Sequence, residues 1–318
     1  MSRLGGPEVL EVHEVPTPEP GPGQVRVAVR ASGMNFAETM QREGTYPGAE
    51  LPWIPGSELA GVVEALGPGV DGPAVGTRVV ARVLSGGYAE HAVVAKDDLA
   101  VVPDAVDLDV ATVAAVHAPT ALVLVRHVAP VTAGQVVLVH AAAGGIGTLL
   151  VQLLARAGAT VVAGASDASK LALPRSLGAA VAVDYSQPGW GDEVRAATGG
   201  RGVDVVLATA AGRVFDESLD LLAPRGHLVV WGAPNSAGTT LDQRRITQLV
   251  YGNQRVSGYA FPTYPVDAVR AATRDSLDLL ADGSLRVTIG GRYGLDGVAQ
   301  AHRDIASRTS VGKLVVLP

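Results

Sequence analysis

The 318-residue sequence is 47% hydrophobic and 18% charged, with 25 basic against 31 acidic side chains and a formal charge of −6. That length allows two domains with separate cores, and that composition belongs to globular rather than disordered chains. The absence of cysteine excludes disulfides, thiolate nucleophiles, iron–sulfur clusters and thiolate zinc sites. No basic stripe is present to neutralise a nucleic-acid backbone, so a small-molecule partner is expected.

The opening residues, Met1 to Pro7, lack the apolar core of a signal peptide. The longest apolar runs read as interrupted by Arg126, His127 or glycines before reaching the length of a membrane span. A cytoplasmic protein is therefore the expectation.

Residues 1–117 read as short strands divided by Gly and Pro. Gln24 to Arg30 alternates polar and apolar residues, the period of a half-buried strand, and Leu59–Leu66 and Thr77–Leu84 are similar. This texture predicts an antiparallel, barrel-like β-domain. From 118 to 254 the texture changes to apolar strands alternating with helices. Val136–Val139 is continuously apolar, as a strand buried on both faces should be. Helix is predicted over Ile146–Ala157 and Ser169–Leu177, and further strands at Thr160–Ala163, Val181–Val183, Val203–Leu207, Leu228–Trp231 and Val256–Tyr259. Six strands with helical crossovers imply an α/β fold with a doubly wound parallel sheet. Residues 255–318 return to mixed structure and end in the strand-like Lys313–Leu317. They read as the second part of the first domain, with the 118–254 unit inserted between.

The strand Val136–Val139 runs into His140-Ala141-Ala142-Ala143-Gly144-Gly145-Ile146-Gly147 and then a helix. Positions 142, 144 and 147 occupy the slots of a G-x-G-x-x-G fingerprint, with Ala in the first. Gly144 and Gly145 allow close approach of a pyrophosphate, Gly147 allows tight packing of helix on strand, and N–H groups at the helix start face the phosphates. A lone glycine motif can serve packing alone, but the strand–loop–helix context predicts dinucleotide binding.

An NAD-selective site carries a carboxylate at the end of the second strand. Here that strand ends Ala163-Gly164-Ala165-Ser166, with Lys170 one turn later and Tyr185 after the third strand. Two hydroxyls and a cation suit a 2′-phosphate, so NADPH is expected over NADH. Asp167 is open to two readings, a ribose ligand or a helix cap, and Lys170 to a second as a solvated surface lysine.

Taken in order, several motifs resemble the zinc-independent quinone oxidoreductase branch of the medium-chain dehydrogenase/reductase superfamily. They are Gly33-Met34-Asn35-Phe36-Ala37-Glu38, Arg42-Glu43-Gly44-Thr45-Tyr46-Pro47, Pro55-Gly56-Ser57-Glu58-Leu59-Ala60-Gly61 and Gly86-Gly87-Tyr88-Ala89-Glu90. The loop Ala141–Gly147 and the terminal Gly312-Lys313-Leu314-Val315 complete the set. The resemblance spans essentially the whole chain. It implies a GroES-like split β-barrel catalytic domain interrupted by a Rossmann domain, and pairing of two copies through the last strand of the Rossmann domain.

For the site, the resemblance implies Asn35 in the cleft near the nicotinamide and Thr120 against the cofactor. It implies Ser166, Lys170 and Tyr185 on the adenosine phosphate, and Gly232, Ala233 and Tyr259 to Phe261 at the nicotinamide end. Three departures stand out. Glu38 replaces a frequent Asp, His117-Ala118-Pro119-Thr120 replaces a glycine-containing stretch, and Pro174 falls inside a predicted helix, where it is expected to kink it. Zinc-dependent relatives carry a cysteine ligand and Gly-His-Glu where this chain has Gly56-Ser57-Glu58. No metal is therefore expected.

Without a Lewis acid the acceptor must take hydride readily, as quinones and α,β-unsaturated carbonyls do. Tyr46 is a candidate hydrogen-bond or proton donor, or equally an aromatic lid. Asn35 is a candidate for orienting substrate or nicotinamide, or equally a turn residue. His140 reads as a strand-end cap, and His91, His117, His127 and His302 as structural histidines without metal-ligand spacing. Two alternatives remain: a pathway-specific reductase of enoyl thioesters, and an NADPH-binding sensor or structural protein with little turnover.

Overall fold

The computed structural model describes residues 1–232 and 239–318. The chain divides into two compact units: Met1–Pro119 with Arg270–Pro318, and Thr120–Val269.

The first unit is built on β1 (Gln24–Gly33), β2 (Glu58–Leu66), β3 (Arg78–Arg82), β4 (His91–Ala95) and β5 (Leu99–Val101), joined by β12 (Ile289–Tyr293) and β13 (Lys313–Val316) from the end of the chain. Alternation in β1 buries Val25, Val27 and Val29 against Leu59, Val63, Val79 and Val94. Apolar side chains removed from water in this way contribute roughly 1.5–3 kcal/mol each. β2 pairs along β1 with register shifts after Arg26 and Val29 that bend the strand. The other edge of β1 is shared by β4, opposite Gln24–Ala28, and β13, opposite Ser32–Gly33. The start of β2 and the last residues of β13 therefore flank the end of β1, so that Glu58 and Lys313 come together just past it.

The second unit holds β6 (Val136–Val139), β7 (Thr160–Ala165), β8 (Val181–Asp184), β9 (Val203–Ala208), β10 (Leu222–Trp231) and β11 (Arg255–Tyr259). Every pairing is parallel, in the order β11-β10-β9-β6-β7-β8. The chain starts in the middle and winds outward in both directions. That leaves a switch point beside β6, where open parallel sheets bind ligands at their carboxyl ends. Leu138, Val162 and Val206 form the core with Trp190 and Phe215.

Three expectations need correction. The boundary at 254/255 falls too early, because Arg255–Tyr259 pairs with His227–Trp231 inside the parallel sheet and the first unit resumes at Arg270. The single helix over Ser169–Leu177 is instead a 3₁₀ turn, Ala168–Lys170, followed by a helix Ala172–Ser176. Pro174 thus lies in a first turn, where a missing N–H costs nothing, and no kink results. Finally, Arg126 and His127 do not cut the preceding apolar run. Leu108–Val128 is helical through 21 residues, long and apolar enough by composition to cross a membrane, and its most apolar stretch is 72% buried. Both polar residues sit in its last, π-helical turn.

Candidate active site

The glycine loop of the second unit is as the sequence predicts. β6 delivers the chain into Ala141, which takes a left-handed conformation (φ 49°), and Gly144 caps the helix Gly145–Arg156 without any side-chain hydrogen bond. The first-turn N–H groups of such a helix have no partner within it, and its dipole favours an anion there. A Cβ on Gly147 would fall 2.1 Å from the Ala141 carbonyl oxygen, so only glycine lets this turn close.

Around the loop, His140 is more than a strand cap. Its Nδ1 accepts from the Ala210 N–H at 3.4 Å and its Nε2 lies 2.9 Å from Ser218 Oγ, so the Nε2–H donates and ties β6 to the helix Arg213–Asp220. Burial pushes its pKa down to about 4. Thr120 Oγ1 and the Tyr259 hydroxyl are both buried and lack geometric hydrogen-bond partners among the described residues. Burial pushes the Tyr259 phenol up to about 12, against the influence of nearby Thr120.

Of the 2′-phosphate set, Ser166 and Lys170 are half-buried after β7. The Tyr185 ring packs on Gly164 and stands 5.6 Å from the His140 ring. Asp167 is a cap: its carboxylate accepts from the Ser169 N–H at 2.8 Å, and the Ser169 hydroxyl, then that N–H, hold its pKa below the usual carboxylate range. Arg213, which sequence reasoning passed over, donates to the carbonyls of Tyr185 and Ser186 at 2.9 and 3.1 Å. Gly232 ends β10 with a left-handed φ of 84°, and Phe261 opens the 3₁₀ turn after β11. Ala233 lies outside the described residues.

The first unit holds a polar network that the sequence did not announce. Glu38, on the helix Phe36–Glu43, accepts from the Asn35 N–H (3.1 Å), the Ser57 N–H (2.9 Å), the Ser57 hydroxyl (2.6 Å) and the Tyr88 hydroxyl. Asn35 Nδ2 donates to Ser57 Oγ at 3.1 Å, while Asn35 Oδ1 lies 2.8 Å from His117 Nε2. Lys313 Nζ donates to the Met34 carbonyl (3.0 Å) and to Glu58 Oε1, and stands 3.0 Å from the same His117 Nε2. Glu58 and Lys313 are 0% and 1% exposed. Gly33 makes room for them, since a Cβ there would fall 2.1 Å from Glu58 Oε1 and 2.6 Å from Lys313 Cε. Burial pushes the Glu58 carboxyl up and the Lys313 ammonium down, with each partner's charge opposing the shift. Burial, and then Lys313, hold His117 well below the ordinary histidine value.

The network absorbs Asn35 and omits Tyr46, which is half-buried beyond the left-handed Gly44 cap of the same helix. Asn35 is indeed a turn residue at the N-cap of that helix, its own N–H donating to Glu38 Oε2, and it is also a member of the network. His91 pairs with Glu64 (2.8 Å), a structural histidine as expected, whereas His302 accepts from Arg42 (3.1 Å) but buries its Nε2 without a partner among the described residues. Nor is His117 a satisfied structural histidine, because its Nδ1 is buried without a partner among the described residues. The available signals were a lysine in the apolar strand Lys313–Leu317 and a glutamate heading the apolar run Leu59–Ala60.

A parallel sheet with a dinucleotide-type loop, inserted in an antiparallel β-unit that carries its own buried polar site, defines the class of medium-chain dehydrogenases and reductases. Residues 21–104 match the family described as alcohol dehydrogenase GroES-like domain, and 145–291 that described as zinc-binding dehydrogenase. A quinone oxidoreductase of Pseudomonas aeruginosa is 36% identical, over 100% of this chain and 98% of its own length. A 2-haloacrylate reductase of a Burkholderia species is 33% identical, over 100% and 98%. The structure of Escherichia coli quinone oxidoreductase complexed with NADPH superposes with a TM-score of 0.92 at 28% identity, covering 100% of this chain and 98% of the other. This chain belongs to the quinone oxidoreductase branch of the medium-chain dehydrogenase/reductase superfamily.

Zinc, which the name of one matching family implies, does not fit this site. The place of the ligand histidine is taken by Ser57, whose hydroxyl is spent on Glu38. Lys313 puts an ammonium donor where a dication would need acceptors.

Proposed function

We propose that this chain transfers a hydride from NADPH to a quinone or an α,β-unsaturated carbonyl, and does so without zinc. The carrying observation is the loop Ala141–Gly147, closed by a glycine that admits no side chain and opening a helix whose N-terminus no side chain caps. That is the backbone chemistry a pyrophosphate requires. NADPH, when bound, supplies the hydride from its nicotinamide ring.

In this reading Gly144, Gly145, Ile146 and Gly147 hold the pyrophosphate, and Ser166, Lys170 and Tyr185 receive the 2′-phosphate. Thr120, Gly232, Ala233 and Phe261 complete the cofactor site. Asn35 and Tyr46 orient the acceptor and stabilise the charge that grows on its oxygen. Two copies pair through β11, which ends the parallel sheet with an open edge. Beside it Ile246, Val250 and Tyr251 expose apolar surface.

A second reading, reduction of an enoyl thioester, is favoured by the likeness to a 2-haloacrylate reductase, whose name denotes an activated alkene. Loss of nicotinamide absorbance with a quinone, an enone and an enoyl thioester separates the two. The Gly147→Val variant is expected to keep its circular dichroism and lose affinity for NADPH by about 100-fold or more, since the loop can no longer close around the phosphates. Absence of wild-type affinity for either nicotinamide dinucleotide overturns the proposal.

A further inference from the structure

His117 Nε2 faces two neighbours with opposite demands. Asn35 Oδ1, 2.8 Å away, needs a donor, and the Lys313 ammonium, 3.0 Å away, needs an acceptor. The Asn35 amide is not free to turn around. Its Nδ2 donates to Ser57 Oγ, and the Ser57 hydrogen is already committed to Glu38 Oε1 at 2.6 Å. Nor can Lys313 withdraw, held as it is between the Met34 carbonyl and Glu58. One ring nitrogen meets one demand at a time.

The two tautomers of neutral His117 divide these demands. With the proton on Nδ1, Nε2 accepts from Lys313. With the proton on Nε2, the ring donates to Asn35 Oδ1, and Lys313 must be the neutral amine. The first arrangement leaves an N–H on Nδ1, and Nδ1 is buried with no partner among the described residues. A buried, unspent donor costs about 1–3 kcal/mol unless something accepts from it.

We propose that Lys313, His117 and Asn35 form a proton relay that supplies the proton consumed in the reaction, with His117 Nδ1–H as the immediate donor. The proposal rests on the hydride-transfer reading above. The acceptor gains a hydride, NADPH becoming NADP⁺, and carries one negative charge on oxygen. The Nδ1–H bond of His117 breaks as the O–H bond of the enol or hydroquinone forms, while an Nζ–H bond of Lys313 breaks and Nε2–H forms. His117 remains neutral throughout. Lys313 ends as an amine beside the Glu58 carboxylate, and the relay resets once product has left, when His117 Nδ1 takes a proton from solvent and the Nε2–H proton returns to Lys313. Asn35, locked through Ser57 by Glu38, is preorganised to accept from the new Nε2–H, so it stabilises the relay's end state. Burial brings the Lys313 ammonium and the Glu58 carboxyl closer to their neutral forms, which lowers the cost of lending the proton.

An enolate must be protonated before an enone is turned over, whereas a hydroquinone anion leaves stable and is protonated in water. His117→Gln is therefore expected to slow enone reduction by about 100-fold or more, in the range of general acid catalysis, with a loss at least ten times smaller on a quinone. The solvent deuterium isotope effect on enone turnover should change with it, and the Kd for NADPH should not. In the cofactor-free wild type, ¹⁵N NMR should show His117 as the Nδ1–H tautomer.

Equal losses on both acceptors, an unaltered solvent isotope effect, or a resting Nε2–H tautomer each overturns the relay. Wild-type turnover of quinones with none of enones overturns the relay and leaves the proposed function standing. No oxidation of NADPH by either acceptor overturns both.

Discussion

The two units carry sites made of different material. The nucleotide loop of the second unit is backbone: a run of seven residues whose glycines and first helical turn present N–H groups. The network of the first unit is side chain, gathered from positions 35, 38, 57, 58, 88, 117 and 313. A backbone site needs only local geometry, so it survives as a readable motif. A side-chain site needs strand order, and nothing within any one of its segments marks it.

The difference can be broken most sharply at the buried ion pair. Lys313→Ala leaves the Glu58 carboxylate buried and unpaired, and is expected to cost about 3–5 kcal/mol of stability. Joint replacement by Met at 313 and Leu at 58 should recover most of that loss. Denaturant unfolding measures both, and a single-variant cost below about 1 kcal/mol would mean that water reaches the pair.

The second unit should reveal its own buried histidine through pH. His140 titrates at about 4 when folded, below the ordinary histidine value of 6.5, because burial penalises the charged ring. The unfolded chain then binds more protons below pH 6.5. The stabilisation is complete above that pH and falls as pH drops toward 4, by about 3 kcal/mol. His117 and His302, also shifted downward, add the same sign from the first unit. Unfolding at pH 7 and pH 5 should show the drop, and His140→Gln should flatten it. An unchanged slope in that variant would show that the ring charges without cost.

The smallest expected effect concerns cofactor choice. Lys170→Ala should raise KM for NADPH about tenfold, equivalent to about 1.4 kcal/mol, and leave that for NADH almost unchanged, as loss of one cation facing a phosphate predicts. Parallel changes for both cofactors would return Lys170 to the role of a surface lysine.

Legibility followed the same division. The six parallel strands and the loop were readable because a strand buried on both faces is continuously apolar, and Val136–Val139 and the run 205–208 show it. The boundary at 254 cut off a strand that was itself readable at Val256–Tyr259: β11 is an edge strand with only Tyr259 buried, and so gave little contrast to mark where the unit ends. Pro174 misled because its effect depends on where the helix begins, and here a separate 3₁₀ turn capped by Asp167 precedes a helix that starts only at Ala172. Glu38 and His117 had no pattern to betray them, since burial of a polar residue shows only once its partners are in place.

From its sequence alone this protein was determined to have a parallel sheet, a glycine loop on a strand–helix turn, and no cysteine for a thiolate metal site, all of which are local or compositional properties. Only the tertiary structure decided that Lys313, at the far end of the chain, would lie beside Glu58 and His117. That meeting depends on β13 and β2 flanking the end of β1, and on Gly33 leaving the space between them. Strand pairing acts across the whole length of the chain, so no window of residues contains it.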